Sequence, residues 1–143
     1  MMLNAEKPYS ILIADDDPRA RESLREIVEP EGYAALLASS GEEALEIIQE
    51  SPVHLALFDM HMDRLTGLET MQLARQFNSL LPCILVTADA TEDLMRQAFQ
   101  VRAYSVIPKP VSRHVLLYTM LKALMKVYGT LLQEERDAKG AEE

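Results

Sequence analysis

Five polar residues stand where apolar runs stop. Asp15 and Asp16 follow ILIA, Asp59 follows LALF, Thr87 closes CILV, and Lys109 follows VIP. Two full charges ~4 Å apart repel by about 4 kcal/mol at an effective dielectric near ~20. Carboxylates gathered at the ends of buried strands therefore either share protons or bind a hard cation. An oxygen-rich, partly open set suits Mg2+, which takes one or two carboxylates and keeps waters that a phosphate can replace. A hydroxyl and an ammonium at the same edge complete a site for a phosphoryl group: cation and Lys109 neutralise its oxygens while Thr87 donates a hydrogen bond.

That chemistry requires one shared edge, so the elements carrying these residues decide the matter. Short continuous runs rich in Ile, Val and Leu predict strands over 10–14, 33–38, 53–58, 83–87 and 104–107, each covered on both faces. Amphipathic stretches fill the gaps. Pro18 suits a first helical turn, with Ala20, Leu24, Ile27 and Val28 at helical spacing until Pro30 and Gly32. Ser39 or Ser40 caps a second helix that Pro52 follows, and further helices are predicted over 66–77, over 91–100 and from 112 onward. Strict alternation gives an α/β fold: a doubly wound, five-stranded parallel sheet in the flavodoxin-like order 2-1-3-4-5, with helices on both faces. Ligands of such sheets bind outside the carboxyl ends of the strands, where the strand order reverses. The first and third strands meet there, so Asp15, Asp16 and Asp59 should converge.

The expected organisation is a lead over 1–9, one domain over 10–128, and a helical extension with an acidic tail over 129–143. A chain of 143 residues can bury roughly 68–70% of its unfolded surface without a disulfide or metal staple. The net charge of −9 opposes nucleic-acid binding by this chain. Its longest apolar runs are too short to cross a membrane, and the start lacks a secretory pattern, so a cytoplasmic location is expected. Cys83 reads as a core cysteine, the three histidines show no metal spacing, and the methionines read as core filling.

In the order ADDDP, LFDMHMDRLTG, VTADA and IPKP, the chain resembles the CheY-like response-regulator receiver domains of two-component signalling, over about 10–126. The resemblance implies a phosphoacceptor signalling domain rather than an enzyme acting on other molecules, with self-catalysed phosphotransfer and slow autodephosphorylation. Asp59 resembles the phosphoacceptor, loaded from a phosphohistidine on a histidine kinase or histidine phosphotransfer protein. Asp16 resembles the direct magnesium ligand and Asp15 the one acting through water, with Asp59 and the backbone carbonyl of His61 completing the metal set. Lys109 resembles the lysine that pairs with phosphoryl oxygens, and the Lys109–Pro110 bond is expected to be cis. Thr87 and Tyr104 resemble the switch pair, the hydroxyl moving toward the phosphoryl group and the ring turning in behind it. Asp63 stands where the family often has proline, while Gly67 is present where the turn into the third helix needs it.

Simpler readings compete residue by residue. Acids before Pro18 suit a helix start, and Asp17, nearest to it, reads as the solvated N-cap. A dehalogenase-type phosphatase would need an acid two residues after Asp59, where His61 stands, and a dinucleotide fold would need glycines after the first strand. A degenerate receiver that is never phosphorylated would not need all five polar residues. The last helix carries two apolar stripes. Leu116, Met120, Ala123, Leu124 and Val127 suit the sheet; Leu117, Leu121, Met125, Tyr128 and Leu132 are left over, to join a homodimer, dock an output domain, or be covered by a fold-back after Lys126 aided by Gly129. No recognisable output domain follows Lys126 within the sequence, which names neither the kinase nor the target.

Overall fold

The computed structural model describes residues 8–142, with side chains described through residue 129. In chain order it contains β1 (Ser10–Ala14), α1 (Pro18–Val28) with a short 3-10 turn (Glu29–Glu31), β2 (Ala34–Ala38), α2 (Gly41–Glu50) and β3 (Leu55–Asp59). There follow α3 (Gly67–Phe77), β4 (Cys83–Thr87), α4 (Glu92–Gln100), β5 (Ser105–Pro108) and α5 (Arg113–Glu142). The five strands are parallel in the order β2-β1-β3-β4-β5, the order expected from the sequence.

Side chains alternate across the pleat and give the sheet two dry faces. Leu12, Ala56, Phe58 and Leu85 point to one, covered by Ala44 and Ile48 of α2, Met71 and Ala74 of α3, and Leu94 and Ala98 of α4. Ile11, Ile13, Leu55, Leu57, Ile84 and Ile107 point to the other, under Leu24 and Val28 of α1 and Leu116, Met120, Ala123 and Leu124 of α5. Cys83 is buried in the first face, and burial pushes its thiol up to about 12, which leaves it unreactive.

Side-chain caps start the helices. Asp17 Oδ1 accepts from the Arg19 amide ahead of Pro18, Ser40 Oγ from the Glu43 amide, and Thr91 Oγ1 from the Leu94 amide; Thr66 and Glu69 form a reciprocal capping box. Strand ends differ from the sequence reading by one or two residues. Gly32, at φ 94°, closes the 3-10 turn and holds Tyr33 outside β2. Before β3, the His54 amide donates to the Ser10 carbonyl while the Ser10 amide donates to Nδ1 of His54, and residue pairing with β1 begins at Leu55.

The leftover stripe on α5 is not continuous. Tyr128 stacks on Tyr9, meets the His54 ring edge-on and donates its hydroxyl to the His54 carbonyl at 2.9 Å, so it closes the lower edge of this protomer's own sheet. Leu121 and Met125 stay exposed, and the side chain of Leu132 lies outside the described residues, as do residues 1–7 of the lead. The segment after Lys126 does not fold back: α5 runs on as one helix through Gly129 to Glu142. No helix among the described residues is long and apolar enough to cross a membrane.

Candidate functional site

Parallel register brings the strand ends level. β1 continues into Asp15, β3 ends in Asp59, β4 in Thr87, and β5 pairs Pro108 with Thr87 just before Lys109. One carboxylate oxygen from each of Asp15, Asp16 and Asp59 lies within 4.8 Å of the others. Alternation separates the adjacent pair: Asp15 is 1% exposed, whereas Asp16 faces solvent.

Asp15 is held from three sides. Its Oδ1 accepts from the Asp17 amide at 2.9 Å, its Oδ2 from Lys109 Nζ at 3.0 Å, and its carbonyl from Arg21 Nη1 at 2.6 Å. Lys109 Nζ also reaches Asp59 Oδ1 at 3.2 Å and so bridges the two buried carboxylates. The Lys109–Pro110 peptide is cis. Arg21 was not singled out in the sequence; its only signal is a cation one turn into a helix whose start faces the acids.

Asp59 is fixed by its neighbours: the Met60 amide donates to Val86, and the Gly67 amide returns to the Met60 carbonyl. Thr87 is fully buried, and its Oγ1 accepts from the Asp89 amide at 3.1 Å, leaving the hydroxyl proton free to donate elsewhere. At the rim, His61 Nε2 and Asp89 Oδ2 are 3.7 Å apart, both exposed. Asp63 and Arg64 continue the loop, Arg64 at a left-handed φ of 68° with its guanidinium 3.4 Å from Glu42, so the residue after Asp63 makes an ion pair to α2.

Tyr104 is not brought to this set. Its amide donates to Cys83, at the far end of β4, and its ring packs on the α5 side of the sheet. Thr87 lies four positions further along, roughly 13 Å at ~3.3 Å per residue. A ring there cannot turn in behind the Thr87 hydroxyl, so the switch pairing is corrected. The β5 residue on the α4 side between Tyr104 and Lys109 is Val106.

The electrostatics favour a further cation. Burial raises the pKa of Asp59 above its ordinary value and Asp15 adds to this, with Lys109 and the His61 amide opposing. Burial alone would lower Lys109, but hydrogen bonds and attraction to Asp15 and Asp59 outweigh it and hold its pKa up. Three carboxylates against one ammonium leave the cluster short of positive charge. The donor set therefore fits a divalent, oxygen-seeking metal.

A family model described as the response regulator receiver domain matches residues 11–121. This chain belongs to that family. Response regulator RR06 of Streptococcus pneumoniae is 35% identical over 119 residues, 83% of this chain and 54% of the relative. Response regulator MprA of Mycolicibacterium vanbaalenii is 34% identical, over 83% of this chain and 51% of its own length. The receiver thus spans about half the length of the curated relatives it matches. A CheY-like receiver domain protein from Methanospirillum hungatei superposes with a TM-score of 0.82 at 29% identity, covering 87% of this chain and 99% of that one.

The raised Asp59 pKa makes a prediction about the receiver's stability. A carboxyl whose folded pKa exceeds its unfolded one holds its proton more tightly in the fold. Stability therefore falls as pH rises from the unfolded value through the folded one, and the loss is complete above it. Asp59→Asn, which cannot ionise, is expected to unfold at higher urea than wild type at neutral pH in a chelator. The gap should close below the ordinary carboxylate range. Urea titrations at both pH values measure it, and a gap independent of pH would contradict the electrostatic reading.

Proposed function

We propose that this receiver accepts a phosphoryl group from a phosphohistidine of a histidine kinase or histidine phosphotransfer protein onto Asp59, in a Mg2+-dependent reaction, and changes its interaction surface in response. The observation that carries the reading is the convergence of Asp15, Asp16 and Asp59 with Lys109 bridging two of them. An Asp59 oxygen forms the new bond to phosphorus, the phosphorus–nitrogen bond breaks, and the departing imidazole takes a proton from solvent. Lys109, already beside Asp59, turns from the carboxylates to a phosphoryl oxygen, and Thr87 donates its free hydroxyl proton to another.

Asp16, which faces solvent, suits direct contact with the metal. Asp15, already bound to Lys109 and the Asp17 amide, suits contact through water, with Asp59 and the His61 carbonyl completing the set. Bound there, Mg2+ supplies positive charge against the carboxylates and the phosphoryl oxygens. The chain is a signalling domain that catalyses its own phosphorylation and slow dephosphorylation and works in the cytoplasm, where a kinase donor acts. The half of the curated relatives that it does not span leaves room for an output domain after α5, and nucleic-acid contact would fall to such a partner rather than to this acidic chain.

With acetyl phosphate and Mg2+ as donor system, intact mass should rise by one phosphoryl group in wild type and not at all in Asp59→Asn. An unchanged mass shift in the variant would remove the proposal. Phosphoryl lifetime should depend on the rim pair, because His61 and Asp89, 3.7 Å apart and both exposed, each lie two residues beyond a site residue, Asp59 and Thr87, where they could flank the path of attacking water. Alanine at both positions is expected to change the hydrolysis rate about tenfold or more, toward the ~100-fold at which the contribution of a positioned proton-transfer group begins. A rate equal to wild type would show that the pair does not govern water access.

A further inference from the structure

At the amino-terminal edge of the sheet, the end opposite Asp59, lies a groove of about 760 Å³ between the α3–β4 connection, the end of α4 and α5. Its apolar wall includes Leu80 and Phe99, 74% and 83% exposed. Its charges are Arg75, Arg102 and Lys126, and among the described residues no carboxylate lines it, on a chain of net charge −9. Arg75 is fixed by donating to the Val101 and Arg102 carbonyls, and Lys126 Nζ sits 5.9 Å from the Tyr104 ring centroid.

The complement to this groove is written in α5 itself. Residues 113–129 contain three Lys or Arg and no carboxylate, whereas residues 130–143 contain five carboxylates and two cations and begin TLLQEE. Leucines followed by glutamates are what a basic groove with an apolar wall accepts. The helix is unbroken from Arg113 to Glu142 and rises ~1.5 Å per residue, so it carries this acidic part away from the groove of its own chain. A second copy can present it.

Gly129 adds an independent observation. Glycine inside a helix costs about 1 kcal/mol relative to alanine. A Cβ at this position would meet only the Met125 side chain, at 3.5 Å, so no contact within the described chain demands glycine. Close approach of a second helix would.

We propose that two copies of this chain pair reciprocally, the acidic segment 130–143 of each docking in the basic groove of the other, with the two helices antiparallel and crossing near Gly129. Reciprocal exchange closes a twofold dimer and leaves no open end. The antiparallel sense sets Lys126, just before the crossing, opposite residues 132–135, just after it; a parallel pairing would set like charge against like.

A charge swap in the full chain tests this by sedimentation at low salt, in a chelator so that phosphorylation of Asp59 plays no part. Wild type is expected to dimerise, and Gly129→Leu to weaken the dimer. Arg102→Glu with Lys126→Glu makes groove and segment both acidic, and Glu134→Lys with Glu135→Lys makes both basic. Each double variant should self-associate on the order of tenfold or more weakly than wild type. Mixed, they should form a heterodimer, because each groove then meets a segment of opposite charge. A wild type that stays monomeric, variants that each still dimerise, or a mixture that stays monomeric would overturn the proposal.

Discussion

Asp15→Ala is expected to lower the stability of the metal-free receiver by about 2–3 kcal/mol, whereas the adjacent Asp16→Ala should change it by no more than about 0.5 kcal/mol. Asp15 is buried and answers Lys109 and the Asp17 amide; its removal leaves an ammonium and an amide without their partner. Breaking a buried pair typically costs ~3–5 kcal/mol. The loss here is smaller because Lys109 keeps Asp59 and because repulsion between Asp15 and Asp59 disappears. Asp16 faces water and has no such duty. On the proposed metal set the order should reverse for magnesium, which would lose a direct ligand with Asp16 and a water-mediated one with Asp15. Urea unfolding and magnesium titration on the two variants give both orders, and equal effects in both experiments would contradict the division of labour.

Gly67→Ala should be nearly as costly, for a steric reason. A Cβ at position 67 would lie 2.5 Å from the Asp59 carbonyl oxygen and 2.7 Å from Leu85 Cδ1. Leu85 can turn aside, but the carbonyl belongs to the strand end that aims the Asp59 side chain, and the Gly67 amide is tied back to Met60 at 2.9 Å. Overpacking of this kind costs about 1–3 kcal/mol. The movement that relieves it also displaces Asp59, and a misplacement of ~1 Å is enough to slow a reaction on the order of a hundredfold. The variant should therefore unfold earlier and take up phosphate from acetyl phosphate far more slowly. Wild-type stability and rate would show that the loop gives way without moving Asp59.

The same residues show how far the sequence could be read. Five continuous apolar runs between capped amphipathic segments point to a covered parallel sheet, because runs apolar on both faces need cover on both; β1 and β4 match residue for residue. Asp15, Asp16, Asp59, Thr87 and Lys109 were legible because each breaks such a run at its carboxyl end. Asp15's burial and the Lys109 bridge between two carboxylates were not legible, since they depend on register across β1, β3 and β5. Tyr104 was misplaced for a related reason. It stands only five residues before Lys109 in the sequence, yet a strand keeps its two ends far apart, and the Tyr104 amide pairs with Cys83. Tyr128 fits a helical stripe by spacing, and only the positions of Tyr9 and His54 at the lower edge reveal that it is already used.

The central claim is that Asp59 carries the phosphoryl group. Loading the receiver from a phosphohistidine-bearing donor with magnesium, reducing it with borohydride and sequencing its peptides by mass spectrometry tests this directly, because an acyl phosphate is reduced to the alcohol at the residue that bore it. Homoserine at position 59, and at neither 15 nor 16, is the predicted result. Reduction at another aspartate, or a phosphate retained on His61, Thr87 or any residue other than Asp59, would contradict it.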